Sequence, residues 1–157
     1  MTETAQLIHT HLMTLTLDVD SAASYPIGVS LHGNRMVAPI TGGTFSGPRL
    51  KGSVLPGGAD WVLIGSDGSM KIDVRTTLKT IDGAFIYLKY RGRFIASAEA
   101  MQKLHAGVVL SPEEYSLAVS AGLETGHEEY AWLNDAMVVG TGKQSGFNPT
   151  YSFFTVG

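Results

Sequence analysis

An aspartate and an arginine stand two residues apart in a segment that can do acid–base chemistry. Apolar residues alternate with polar ones from Met70 to Thr80, which predicts a half-buried strand. Asp73 and Arg75 therefore share one face of that strand. If this face is enclosed, the carboxylate stays ionised beside the guanidinium and acts as a base or a substrate anchor. The alternative is a solvated outer face, which is common in antiparallel sheets, and the spacing alone leaves both open.

A second pair of cations lies on a short predicted strand near Leu50–Val54. Arg49 and Lys51 are again two residues apart and share a face, so the pair could bind a carboxylate, a phenolate or an enolate. Lysine is rarely buried, and a solvated strand face is the alternative interpretation. We therefore expect Arg49 to be the better candidate for substrate binding.

Aromatic residues and an amide alternate near the carboxyl end of the chain. A strand is predicted from Tyr130 to Gly140, and it would place Tyr130, Trp132 and Asn134 on one face. An amide among aromatic side chains is typical of a hydrogen-bonding group in an apolar ligand cavity. The alternative is a core face on which Asn134 is satisfied by the protein itself.

Three further residues complete the set of candidates. Glu124 precedes a turn at the predicted mouth of the fold, where apolar neighbours would raise its pKa and suit it to general acid catalysis, unless it is an ordinary surface residue. Tyr87 shares a face with Phe85 and Lys89 and is expected to line the cavity. Asp60 follows a glycine-rich turn, and its predicted role is to cap that turn rather than to do chemistry.

Composition excludes several other classes of function. The 157 residues carry a formal net charge of −3 without a basic block, which argues against nucleic acid as a partner. There are no cysteines, which excludes thiolate metal sites and is typical of a reducing cytoplasm. His9 and His11 share a strand face, but no third metal ligand follows at a suitable spacing. No phosphate-binding loop or dinucleotide fingerprint is present, so we expect no metal and no cofactor. No secretion signal or membrane-spanning run is apparent.

The elements that must position these residues are short strands joined by tight turns. Asp67-Gly68 between alternating segments predicts a hairpin, and Arg91-Gly92-Arg93 is interpreted as another turn. Ser97–His105 is the one clear helix, and Ile27–Ile40 is interpreted as a loop or a broken strand. The pattern predicts an all-β fold, a closed antiparallel up-and-down β-barrel of eight to ten strands with one short helix, in one domain over residues 1–157.

Three stretches of the sequence resemble a known family. They are GGTFSGPRLKG at 42–52 continuing through LPGGADW at 55–61, DVRTTL at 73–78 with DGA at 82–84, and ETG at 124–126 with YAWLN at 130–134 and VG at 139–140. Together they resemble the domain-of-unknown-function 3237 family of bacteria and fungi. The resemblance implies a closed barrel similar to the calycin and allene-oxide-cyclase-like barrels. It also implies a small cofactor-free enzyme of aromatic or secondary metabolism. The sequence departs from the family pattern at Thr76, Lys79 and His127.

The leading hypothesis is a cofactor-independent isomerase, cyclase or lyase. Its substrate would be a small, partly aromatic molecule or secondary metabolite in the barrel cavity, with Asp73 or Glu124 moving the proton. Arg49 and Arg75 would stabilise the developing anion. The residues expected to orient the substrate are Tyr87, Tyr130, Trp132 and Asn134. Alternative hypotheses are a lipocalin-like carrier of an apolar small molecule and an interaction module with a packed interior. No membrane partner is expected, and a homodimer is compatible with the sequence.

Overall fold

The described part of the chain forms ten strands, one α-helix and three short 3-10 helices. The computed structural model describes residues 2–144 and 148–157. The strands are β1 (His9–Val19), β2 (Tyr25–Ser30), β3 (Gly33–Ser46), β4 (Lys51–Val54), β5 (Gly58–Ile64), β6 (Met70–Thr80), β7 (Phe85–Ala96), β8 (Tyr115–Glu124), β9 (Val138–Lys143) and β10 (Thr150–Val156). The helix α1 is Ala98–His105, and the 3-10 helices are Ser21–Ala23, Pro112–Glu114 and Glu128–Asp135. Ser145 and Gly146, predicted to belong to a turn before the last strand, lie outside the described residues.

The strands close into an antiparallel barrel. Strand β1 pairs with β10 on one side and with β3 on the other, and β10, β9, β8, β7 and β6 follow in order. Both β4 and β5 bridge β6 to β3, and β2 extends the sheet beyond β3. The result is a closed eight-stranded barrel with two extra strands and one short helix, which confirms the fold class predicted from the sequence.

Period-two alternation decides which side chains fill the barrel. On β6 the buried residues are Ile72, Val74, Thr76, Leu78 and Thr80, and the residues between them face outward. Removing such side chains from water contributes roughly 1.5–3 kcal/mol for each fully buried aliphatic residue. The barrel interior is therefore the hydrophobic core.

Short helices cover the two ends of the barrel. Helix α1 follows the end of β7, with Ser97 as its N-cap accepting a hydrogen bond from the amide of Ala100 at 3.1 Å. Met101 of this helix is buried. At the opposite end the 3-10 helix Glu128–Asp135 follows β8, and its Leu133 is fully buried. No helix within residues 2–144 and 148–157 has the length and apolar character needed to cross a membrane.

Two local predictions are wrong. The segment from Tyr130 to Asp135 is a 3-10 helix rather than a strand, and the strand begins only at Val138. Arg91-Gly92-Arg93 is not a turn, because β7 continues through it to Ala96 and Gly92 lets the carbonyl of Ala118 approach closely. Of the two alternatives for Ile27–Ile40, the structure has the broken strand, since these residues lie in β2 and β3 with a short break between them.

Candidate functional site

The structure places Asp73 and Arg75 on the outside of the barrel wall. The Asp73 carboxylate lies 3.5 Å from Nε of Arg91 on β7 and not against Arg75. The guanidinium of Arg75 is exposed and lies over the ring of Trp61, 4.6 Å from its centroid. Of the two alternatives left open by the spacing, the structure shows the outer face.

Arg49 and Trp132 come together although they lie far apart in the sequence. The guanidinium carbon of Arg49 stands 3.7 Å from the centroid of the Trp132 ring. A cation over an indole face contributes about 0.5–1 kcal/mol at an exposed site. Lys51 is exposed at the start of β4. Arg49 is thus held by an aromatic side chain, and Lys51 lies apart from this contact.

Tyr130 binds a carboxylate at the start of the β6–β7 turn. Its hydroxyl lies 3.0 and 3.1 Å from the two carboxylate oxygens of Asp82. The hydroxyl of Thr80 also donates to Asp82, and these two hydrogen bonds, the one from Thr80 first, lower the pKa of Asp82. Desolvation and the bond to Asp82 raise the pKa of Tyr130. The hydrogen bond of Tyr130 to Asp82 therefore joins the 3-10 helix Glu128–Asp135 to the β6–β7 turn.

Glu124, Tyr87 and Asn134 do share one cavity, outside the barrel. Tyr87 and Glu124 lie directly opposite each other on β7 and β8. With Asn134 they line an open cleft of about 550 Å³. The Asn134 amide is not free for a ligand, because Oδ1 accepts from the amide of Thr125 at 2.9 Å and Nδ2 donates to two carbonyls at 3.0 and 3.1 Å.

The 3-10 geometry explains why Tyr130, Trp132 and Asn134 do not act together. A 3-10 helix has three residues per turn, so side chains two residues apart point in different directions. The three contact Asp82, Arg49 and the Thr125 turn respectively. Their predicted common face does not exist.

The strongest chemical constellation lies on the inner face of the wall, around Asp60. Asp60 pairs with Val74 on β6, which in turn pairs with Tyr90 on β7, so the three follow one row across the inner face. Its Oδ1 accepts a hydrogen bond from the backbone amide of Asp73 at 3.1 Å. Burial raises the pKa of Asp60 from 3.8 to about 6, the charge of Asp73 adds to the rise, and the hydrogen bond from that amide opposes it.

Two buried hydroxyl groups near this carboxyl have no hydrogen-bond partner among the described residues. They are Oγ1 of Thr76 and the phenol oxygen of Tyr90. An unsatisfied buried polar group costs about 1–3 kcal/mol. Such groups in a folded protein call for a water or a ligand as partner.

Tyrosines surround the same position. The rings of Tyr90 and Tyr151 lie with their centroids 5.0 Å apart. Burial raises the pKa of both tyrosines, and the nearby charge of Asp60 adds to the rise in each. Both phenols therefore stay protonated at neutral pH, and an interaction between their hydroxyls also affects the pKa of each. A carboxyl that titrates near neutrality beside neutral donors is suited to moving a proton next to a carbonyl group.

The sequence predicted a turn-capping role for Asp60, because both faces of β5 carry apolar residues and the pattern does not show which face points inward. Asp60, Val62 and Ile64 face the interior, but the outward residues Trp61 and Leu63 are equally apolar. Only the register with β6 shows that Asp60 faces inward. The one signal in the sequence was a single carboxylate within an otherwise apolar strand.

The two histidines considered as metal ligands pack on an aromatic ring instead. The rings of His9 and His11 meet Phe154 edge-on, at centroid distances of 5.7 and 5.6 Å. His11 is also within 3.2 Å of the Thr14 hydroxyl. These contacts account for both side chains as part of the β1–β10 surface.

The chain that forms this closed barrel belongs to a recognised family. Residues 9–156 match the family model of proteins of unknown function (DUF3237), and the chain belongs to this family. The resemblance noted from the sequence motifs is confirmed.

Relatives of similar length support this assignment. A UPF0311 protein of Rhodopseudomonas palustris (strain TIE-1) is 31% identical over 142 residues, which covers 90% of each chain. The crystal structure of a β-barrel-like protein from Acinetobacter baumannii AYE is 35% identical, covers 99% of each chain and has a TM-score of 0.85. An enzyme from Penicillium herquei has a TM-score of 0.73 at 21% identity, over 99% of this chain and 98% of that one. At 21% identity, the likeness to this enzyme shows a shared fold alone.

Proposed function

We propose that this protein is a cofactor-independent enzyme that moves a proton on a small, partly aromatic molecule, with Asp60 as the acid–base group. The observation that carries the proposal is a carboxyl with a pKa of about 6 on the inner wall, whose charge also raises the pKa of the buried phenols of Tyr90 and Tyr151. A general base is most effective when its pKa lies near the working pH. Asp60 meets that condition, and it retains partial exposure to solvent.

In the proposed step a proton is removed from the substrate and then returned to it, so the substrate gains and loses no atoms overall. The Asp60 carboxylate removes a proton from a carbon next to a carbonyl group, the electron pair of that C–H bond forms a C=C bond, and the π pair of the carbonyl group moves to its oxygen. The phenols of Tyr90 and Tyr151 donate hydrogen bonds to the enolate that forms. Protonated Asp60 then returns the proton to a second carbon, which isomerises the substrate, or to the same carbon, which exchanges it. A cyclase or lyase would begin with the same removal.

Likeness to a named enzyme supports the proposal at the level of the fold. The Penicillium herquei protein is described as an enzyme and has the same barrel. Fold likeness alone does not fix a reaction, so the proposal depends on the Asp60 cluster.

Hydrogen exchange from heavy water tests the proposal even though the product is not identified. The protein is incubated in D2O at neutral pH with cyclic enones, aryl ketones and small lactones, and loss of the α-proton signal is followed by NMR. We expect wild type to speed exchange of at least one compound, and Asp60→Asn to lose about 10²-fold or more of that rate, the usual contribution of a general base. Asp135→Asn, an exposed acid on the 3-10 helix, is the matched control and should keep the rate.

A second candidate is a carrier of a small apolar molecule. The cleft of about 550 Å³ outside the barrel carries the exposed rings of Phe85 and Tyr87. A compound that binds there without exchange, equally in wild type and Asp60→Asn, would favour the carrier and contradict the enzyme. A protein that neither binds nor exchanges any compound would contradict both.

A further inference from the structure

An open groove on the outer wall of the barrel, distinct from the Asp60 cluster, combines an apolar floor with a cationic rim. It has a volume of about 490 Å³ and is formed by β3, β5, β6 and β7. Trp61 and Leu63 supply the apolar surface. Its charged lining residues are Arg35, Lys71, Asp73, Arg91 and Arg93. We call this cavity the cationic groove.

The cations around the groove come from the outer faces of one hairpin. The outward residues of β6 and β7 include six of the chain's eleven lysines and arginines, and one acid, Asp73. The six are Lys71, Arg75, Lys79, Lys89, Arg91 and Arg93. The whole chain has a net charge of −3, so this face is strongly positive on an otherwise acidic protein. The linear sequence hides the patch, because each cation is separated from the next by an inward residue.

Like charges face each other across the hairpin. Lys71 lies directly opposite Arg93, and Arg75 lies directly opposite Lys89. Like charges at directly opposed positions destabilise an antiparallel pair. Asp73 pairs with Arg91, and within residues 2–144 and 148–157 neither Lys71 nor Arg93 forms an ion pair. Asp73, the acid that lines the groove, is engaged by Arg91, so no ion pair within the described residues offsets the repulsion between Lys71 and Arg93, and a bound anion would offset it.

The wall beneath the groove combines an unbroken β3–β5 ladder with a gap in the β5–β6 ladder. Pairing of β5 with β6 is present at Asp60 and again at Leu63. Between these positions Nη1 of Arg35 donates to the carbonyl of Trp61 at 2.8 Å. This bond fixes one cation of the rim against the strand that carries the Trp61 ring. The groove is thus preorganised at its apolar floor.

We infer that the cationic groove binds a small, flat organic anion. Its aromatic body would pack on Trp61 and Leu63, and its carboxylate, phosphate or sulfonate group would lie between Lys71 and Arg93. A volume of about 490 Å³ falls within the range of small-molecule sites, about 300–1,000 Å³. The inference does not depend on the reaction proposed for Asp60, because the two sites lie on opposite faces of the wall.

Binding to the groove can be followed by the fluorescence of Trp61 in a variant that lacks the other tryptophan. The chain has two tryptophans, so Trp132→Phe leaves Trp61 as the only indole. Its fluorescence is titrated with 1-naphthoate at low salt, and with the neutral analogue 1-naphthalenemethanol. We expect saturable quenching with naphthoate, at least tenfold weaker binding of the alcohol, and weaker naphthoate binding at 0.5 M NaCl because exposed charges are screened.

Charge variants in the same background locate the site. Lys71→Glu and Arg93→Glu should each weaken naphthoate binding at least tenfold, and Lys143→Glu, an exposed control with the same charge change on β9, should stay within twofold of the parent. If Lys71→Glu misfolds, Lys71→Gln takes its place in the same titration. Equal affinity for naphthoate and its alcohol, or no effect of Lys71 and Arg93, would overturn the inference. Tighter binding of a short single-stranded oligonucleotide, lost in the same variants, would also overturn it and assign the face to nucleic acid.

Discussion

The Asp60 carboxylate accepts a 3.1 Å hydrogen bond from the backbone amide of Asp73, and the side chains of these two residues lie on opposite faces of the wall. One acid faces the barrel interior, and the other lies on its outer surface beside Arg91. The two carboxylates are close enough for the charge of Asp73 to raise the pKa of Asp60. The acid predicted to be catalytic is thus a neighbour of the acid that has the perturbed pKa.

Replacing Asp60 with asparagine should change how stability depends on pH. The pKa of Asp60 is raised from 3.8 to about 6 in the folded state. Its contribution to stability is therefore complete below pH 4 and is lost as pH rises through 6. A rise of this size corresponds to about 3 kcal/mol. We expect the free energy of unfolding of Asp60→Asn, relative to wild type, to increase by up to that amount between pH 4 and 7.5.

Urea denaturation at several pH values measures this difference, because the other titrating groups are common to both proteins and cancel. The free energy of unfolding of Asp135→Asn should depend on pH in the same way as that of wild type. A constant difference between Asp60→Asn and wild type would show that the Asp60 pKa is ordinary.

Removing the unpartnered hydroxyls should stabilise the protein at the expense of activity. Tyr90→Phe and Thr76→Val delete the two buried oxygen atoms that lack partners with little change in shape. Each substitution should raise the free energy of unfolding by about 1–2 kcal/mol, since an unsatisfied buried group carries a penalty of that order. Thermal unfolding checks the prediction, and Tyr90→Phe should also slow exchange in D2O. Destabilisation by both variants would mean that these hydroxyls are hydrogen-bonded in solution.

Asn134 should matter for stability more than for binding. Its amide makes two hydrogen bonds that join the 3-10 helix to Thr125 in the turn after β8, and a third within the helix to the carbonyl of Ala131. Asn134→Ala should lower the free energy of unfolding by about 1–2 kcal/mol, because these bonds are partly solvated. Chemical denaturation measures the loss, with the exposed neighbour Asp135→Ala as control. Equal stability of the two variants would contradict a structural role and make Asn134 a candidate for ligand binding again.

Glycine in β9 makes room for the aromatic core. A Cβ on Gly140 would stand 2.8 Å from the Phe153 ring and 2.9 Å from Val119. Gly140→Ala should therefore cost about 1–3 kcal/mol through overpacking. Gly122→Ala on the adjacent strand meets nothing within 4 Å and should change the free energy of unfolding by less than about 0.5 kcal/mol. A similar melting temperature for both variants would show that the rings can shift to accept the methyl group.

The architecture could be predicted from the sequence because the barrel depends on local signals. Alternation from Met70 to Thr80 predicts β6 with its observed bounds, and Asp67-Gly68 forms the turn between β5 and β6. The helix predicted over Ser97–His105 is observed as Ala98–His105, with Ser97 as its N-cap. These features do not depend on distant residues.

The candidate site could be predicted only in part because it depends on register and face. Tyr87 was expected to line the barrel cavity but lies with Glu124 in a cleft outside it, and the inward direction of Asp60 follows from its pairing with Val74. The sequence Tyr130–Asn134 alternates like a strand, although it forms a 3-10 helix that buries Leu133 at the barrel end. Tertiary packing there overrides the local pattern.

The ionisation of Asp60 tests the central claim most directly. With ¹³C-labelled aspartate, the side-chain carboxyl carbon of Asp60 is assigned by comparison with Asp60→Asn and followed from pH 3 to 8. Our account predicts a midpoint near pH 6, the value set by burial on the inner wall. A midpoint below pH 4 would mean a solvated carboxylate of ordinary acidity, and would contradict the proposal that Asp60 is the acid–base group of this protein.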